Sequence, residues 1–173
     1  FSDGGKFLNA SKAIEHAGKL LADGADILDL GAAASNPRAE HVPPEVEIAR
    51  LAPVVEHLKE RGARVSVDTT KLDVQRWALS QGVEFLNDIR GFPDESLYGK
   101  LAQSKAKLIV MHFISALDKA ERKEKTPREV FDSIRTFFNS RLKRLQDAGV
   151  ARERIIIDPG MGFFLASNPE PSL

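Results

Sequence analysis

The chain has 173 residues, 42% of them hydrophobic, with 25 basic residues set against 25 acidic ones and no cysteine. That length and apolar content suffice for one core-forming domain over residues 1–173, and the cancelled charge leaves no global field to draw nucleic acid or an anionic membrane. Without thiols there are no disulfides, thiolate metal sites or cysteine nucleophiles, which suits a cytoplasmic protein, and no apolar run is long enough for a membrane span.

The opening "FSDGG" has no initiator Met and reads as the middle of a loop. Next, "ASKAIEHAGKLLADGA" sets Ile14, Ala17, Leu20 and Leu21 on one face, predicting a helix capped by Ser11 and stopped at Gly24. "DILDLGAA" is a first strand. "PEVEIARLAPVVEHLKERG" repeats the helical period through Ile48, Leu51, Ala52, Val55 and Leu58, with Pro53 expected to bend it. "RVSVDTT", "EFLNDIRG" and "KLIVMHF" are further strands, separated by helices over residues 72–80 and 95–103. "TPREVFDSIRTFFNSRLKRLQDAG" is the clearest helix: Thr126 caps it, Pro127 fits the first turn, Glu129 completes a capping box, and Val130, Ile134, Phe137, Phe138, Leu142 and Leu145 form its buried stripe. "RIIIDPGMG" closes the series. Its isoleucines suit a pleat covered on both faces, while Pro159 and Gly160 end the strand at Asp158.

Strands alternating with helices predict a parallel sheet covered by helices, either a closed α/β barrel or an open doubly wound sheet. Asp29, Asp68, Asn87 with Asp88, His112 and Asp158 all stand where an apolar run stops. A barrel gathers such positions on one rim, and neither GxGxxG nor GxxxxGK[ST] is present to argue for an open nucleotide-binding sheet. A (β/α)8 TIM barrel is therefore expected, represented here by five strands. Asp68, Asn87 and Asp158 lie on different strands. A shared ligand explains their placement better than separate turn caps do, and each buried carboxylate needs a partner. Carboxylate, amide and carboxylate around one cavity suit a flat heterocycle presenting adjacent N–H donors. His112 reads as a hydrogen-bonded structural residue, and no HxH or HExxH spacing supports a protein-built zinc site. Met111 and Ile89 read as core residues close enough to the rim to form apolar walls.

Taken in order, "FSDGG", "SVDTT", "FLNDIRG", "IVMHF" and "IIIDPGMGF" resemble dihydropteroate synthase over the whole chain. The resemblance implies a pterin-binding barrel that joins 6-hydroxymethyl-7,8-dihydropterin diphosphate to 4-aminobenzoate in folate biosynthesis, releasing diphosphate with Mg2+. It assigns pterin recognition to Asp68, Asn87 and Asp158, and pocket lining to Ile89, Met111 and Gly162. Phe1 falls in the first loop and Asp29 at the end of the second barrel strand. The five strands become the second to sixth of the barrel. The first strand, with the Asn expected near Mg2+, would precede Phe1, and the last two, with a Lys and an Arg, would follow Leu173. The chain is thus expected to be a fragment inactive alone, of a protein that is a homodimer when complete.

Two segments depart from the ordinary pattern. Where the family reads roughly Gly-Gly-Glu-Ser-Thr-Arg-Pro-Gly, this chain has Gly31 to Arg38, with Ser35, Asn36 and Pro37 in the substrate loop and Arg38 as a possible replacement for the usual Arg. Where Gly-Phe-Gly-Lys is usual, it has Gly162, Phe163, Phe164 and Leu165. Both departures resemble the mobile sulfonamide-resistant branch, in which Phe163 and Phe164 would narrow the pocket mouth. Two other readings share the pterin pattern: a non-catalytic pterin-binding paralogue and a methyltetrahydrofolate corrinoid methyltransferase.

Overall fold

The computed structural model describes residues 5–33, 41–112 and 126–160. Five parallel strands, β1 (Leu28–Leu30), β2 (Val65–Asp68), β3 (Phe85–Asp88), β4 (Lys107–Met111) and β5 (Ile155–Asp158), pair in strict chain order. Helices α1 (Ala10–Ala22), α2 (Pro44–Glu60), α3 (Leu72–Ser80), α4 (Tyr98–Gln103) and α5 (Pro127–Asp147) alternate with them. A sheet that adds each new strand beside the last, through helical crossovers, winds in one direction only. That is the order of a barrel wall, whereas a doubly wound sheet reverses at a switch point.

The helix starts follow local chemistry. The Asn9 side chain accepts from Lys12 N at 3.2 Å, so α1 is capped by Asn9 and not by Ser11, which lies inside the helix. Thr126 and Glu129 form the expected capping box on α5, and Pro127 occupies its first turn, where a missing N–H costs nothing. Pro53 is accommodated within α2, which runs unbroken from Pro44 to Glu60.

The register divides the sheet into two faces. Leu30, Val67, Leu86, Leu108 and Ile155 lie in one row facing the helices. Together with Leu28, Val65 and Val110 they meet Leu51, Val55, Leu58, Val74, Ala78, Phe138 and Leu145 in the core. Residues one step along each strand point the other way, so Asp29, Ser66, Asp68, Phe85, Asn87, Ile109, Met111, Ile156 and Asp158 share the opposite face. The expectation that the isoleucines of β5 are covered on both sides is not met: Ile156 is 40% and Ile157 55% exposed. β5 is an edge strand of the described sheet, paired with β4 on one side only among the described residues.

Candidate functional site

Strand periodicity alone brings the expected polar residues together. Asp68 pairs in register with Asn87, and Met111 pairs with Asp158 two residues nearer the strand ends on the same face. Asp29 lies one row below, beside Ser66. Asn87 Nδ2 donates to Asp29 Oδ2 at 3.2 Å, reaching past β2 to do so. Two strands separated by a third lie about 9 to 10 Å apart in a flat sheet, so this contact requires the polar face to be concave. The curvature expected of a barrel wall therefore also assembles the amide and the first carboxylate.

The carboxylates differ in how they are held. Asp158 Oδ1 accepts from Gly160 N at 2.8 Å, a local turn made possible by the left-handed φ of +73° at Gly160. A side chain there would place its Cβ 2.7 Å from His112 O, so the glycine also permits close seating against the end of β4. Asp158 thus fixes its own turn through one oxygen, and no described residue supplies a hydrogen bond to the other.

None of the described residues supplies a hydrogen bond to the Asp68 carboxylate, so the partner that a buried carboxylate needs does not come from them. Instead its acidity changes: burial, and then the nearby negative charges of Asp29 and Asp88, push its pKa up to about 7. Desolvation of the carboxylate and repulsion from like charge together account for that rise.

Around these residues are supports that the sequence does not single out. Glu47, 1% exposed, accepts from Lys71 Nζ at 2.6 Å, and Lys71 also donates to Val42 O. This pair ties the first turn of α2 to the loop that follows Asp68. Asp88 and Gln75 form a second buried pair on the helix side. Charge type gives no clue to either role. The period-2 alternation that places Asn87 on the concave face does predict that Asp88 faces away from it.

His112 is buried, with its ring edge-on to Phe137 at 5.3 Å between centroids and Ser133 Oγ 3.4 Å from Nε2. These contacts agree with a structural role. Met111 is buried and Ile89 half-buried. Phe1, Ser35, Asn36, Pro37, Arg38, Gly162, Phe163 and Phe164 lie outside the described residues. Among the described residues no group of three or more His, Cys, Asp or Glu side chains could hold a metal ion. They do not by themselves furnish a magnesium site. An open depression of about 480 Å3 lies beside Thr70, Gln75 and Arg90, on the helix side of β2 and β3 and away from the concave cluster.

A wall of parallel strands in chain order, carrying aspartates and an amide at its C-terminal rim, defines the fold class as part of a β/α barrel. The chain belongs to the family described as Pterin binding enzyme, which matches residues 1–173. It is 53% identical over 173 residues to dihydropteroate synthase type-3 of Escherichia coli, covering all of this chain and 66% of that protein. It is 50% identical to the type-2 enzyme of the same organism, again over all of this chain and 64% of the relative. The dihydropteroate synthase of Burkholderia cenocepacia, solved with 7,8-dihydropteroate, superimposes with a TM-score of 0.82 at 35% identity. That superposition covers 94% of this chain and 59% of the other. The chain thus spans slightly less than two thirds of the length of these relatives. Its similarity to the type-3 and type-2 enzymes agrees with the branch indicated by the two altered segments.

Proposed function

We propose that the protein carrying this chain is a dihydropteroate synthase and that the concave cluster is its pterin-recognising surface. The observation that carries this reading is the convergence of Asp68, Asn87 and Asp158 on one face, with Met111 opposite Asp158. Carboxylates accept N–H donors and an amide both gives and accepts, which suits the adjacent ring and exocyclic N–H groups of a pterin. The B. cenocepacia relative, solved with the coupled product, supports the same ligand class.

In the proposed reaction the carbon–oxygen bond between the pterin methylene and diphosphate breaks, and diphosphate takes the bonding pair. The electron-rich pterin stabilises the developing cation, the amine of 4-aminobenzoate forms the new carbon–nitrogen bond, and the amine loses a proton. Asp68, Asn87 and Asp158 orient the pterin so that its methylene faces the incoming amine, while Ile89 and Met111 flank the ring. The chain's contribution is positioning and charge complementarity, and no covalent nucleophile is required. Mg2+, a homodimer and a cytoplasmic location belong to this proposal through the resemblance alone.

The full-length protein is expected to convert 6-hydroxymethyl-7,8-dihydropterin diphosphate and 4-aminobenzoate to dihydropteroate and diphosphate. Pterin binding without turnover would favour the non-catalytic paralogue, and no pterin binding would remove the reading altogether. Sulfonamide insensitivity is the finer part of the proposal. Sulfonamides extend beyond the carboxylate position of 4-aminobenzoate, so added bulk at Phe163 and Phe164 would exclude the drug and admit the substrate. Phe164→Gly in the full-length enzyme is then expected to tighten sulfonamide inhibition more than it alters the KM for 4-aminobenzoate. If neither that change nor Phe163→Ala shifts the ratio, the discrimination resides elsewhere.

A further inference from the structure

We infer that Gln75 and Asp88 are a positioning pair which fixes Asp68 and Asn87 relative to one another; the inference rests on the pterin-binding function proposed above. Asp88 ends β3 immediately after Asn87, but its side chain leaves the sheet on the helix side and is 0% exposed. Its Oδ1 accepts from Arg90 N at 2.8 Å, and its Oδ2 accepts from Phe92 N at 3.1 Å and Gln75 Nε2 at 2.8 Å. The same Gln75 nitrogen donates to Thr69 O at 3.0 Å. Thr69 directly follows Asp68, and Thr69 N donates to Asn87 O at 3.0 Å. A closed circuit results, running from Asp68 through Thr69, Gln75 and Asp88 to Asn87 and back across the strand ladder.

Both N–H bonds of one buried amide are committed, one to each strand end. Sliding β2 against β3 would break at least one of them in a buried region, so the circuit resists small displacements of Asp68 from Asn87. Apolar side chains of the same size would fill the space on the helix side and leave that displacement free. The polar pair therefore contributes geometry that packing alone does not.

The circuit extends to the apolar wall. Gly91 and Phe92 follow one another with φ of +63° and +58°, and the second is a conformation that a phenylalanine seldom adopts. Asp88 holds Phe92 N, Tyr98 Oη donates to Phe92 O at 2.9 Å, and Arg141 donates to Gly91 O. A Cβ on Gly91 would lie 2.8 Å from Met111 O, so this turn rests directly on the end of β4. Asp88 thereby sets Ile89 between Asn87 and a loop seated against Met111.

The test uses the full-length enzyme and calorimetric affinity for 6-hydroxymethyl-7,8-dihydropterin diphosphate. Gln75→Met, which keeps the volume and removes both N–H groups, is expected to weaken pterin binding on the order of tenfold while leaving the KM for 4-aminobenzoate unchanged. Asp88→Asn, which turns an N–H group toward at least one of the three donors, is expected to do the same and to speed amide exchange at Arg90 or Phe92. Val74→Ala, a core truncation in the same helix, supplies the control: it lowers the melting temperature and leaves pterin affinity intact. Unchanged pterin affinity in Gln75→Met, or an equal loss in Val74→Ala, would overturn the positioning role. Failure of the wild-type enzyme to bind pterin would overturn the proposed function, and this inference with it.

Discussion

Asp68 and Asp88 occupy the same place in consecutive strands, each the last residue before a loop, yet the chain treats them in opposite ways. Asp88 faces the helices and is met by three N–H donors, two from its own loop and one from Gln75. Asp68 faces the concave side, where its near neighbours are the carboxylate of Asp29 and its partner in register, Asn87. Burial raises the pKa of both groups, but at Asp88 the three donors oppose that rise, whereas at Asp68 the charges of Asp29 and Asp88 add to it. A buried acid that the fold satisfies holds structure together. A buried acid that the fold leaves in need of donors is poised for a ligand that brings them.

The largest expected effect tests that contrast on stability. Asp88→Ala strands three N–H groups, two of them in buried hydrogen bonds, and at about 1 to 3 kcal/mol for each unsatisfied buried donor the loss should reach several kcal/mol. Asp68→Asn removes a group that the fold already disfavours as a charge, so stability near neutral pH should hold or rise. Urea unfolding of the two variants in the full-length protein checks both statements. An equal loss from the two would mean that the concave and helix-facing acids are structural alike.

Next in size is a loss of binding without a loss of fold. Asp158 is held by one oxygen in its own turn, and the row that contains Met111 aims it at the concave face. Asp158→Ala is expected to remove on the order of 2 to 3 kcal/mol of pterin affinity, the scale of one charge-assisted pair, with the melting temperature nearly unchanged. Unchanged affinity for a dihydropterin would leave Asp158 with the turn-fixing role alone.

How much of this is legible in the sequence follows from the range of each signal. Strand ends at Asp68, Asn87 and Asp158 are readable because an apolar run stopped by a polar residue is a local pattern, and alternation fixes the face. The capping box at Thr126 and Glu129 is readable for the same reason. At α1 two cap-forming residues stand two positions apart, and Asn9 prevails over Ser11 through its bond to Lys12 N, a choice that local pattern does not make. Gln75 looks like an ordinary helix residue, because its role depends on two loops that only the tertiary structure brings within reach. Gly91 likewise carries no signal beyond a turn, since its need to be glycine comes from Met111 O and the Phe137 ring, residues twenty and more positions away. The isoleucines of β5 announce burial that this sheet edge does not provide, so apolarity there describes a strand and not its surroundings.

The remaining expected effect concerns protons and sharpens the comparison most directly. Asp68 has an ordinary value of 3.8 and is raised to about 7 in the fold. Below about pH 4 it is protonated whether the chain is folded or not, and it contributes no pH dependence. Between about pH 4 and 7 the unfolded chain releases the proton while the folded one retains it, so the unfolded state binds fewer protons and stability falls as pH rises. Above about 7 both states are ionised and the penalty is complete. Asp68→Asn has no proton to lose, so its stability advantage over wild type should grow across that window and level off beyond it. A ligand that donates N–H groups binds the ionised form, so pterin binding near pH 6 should release a proton from Asp68, detected as a buffer-dependent heat in calorimetry. The release should vanish in Asp68→Asn. A stability difference that stays flat from pH 4 to 8, together with no proton release, would place Asp68 among the acids that the fold itself satisfies and return the concave face to a structural role.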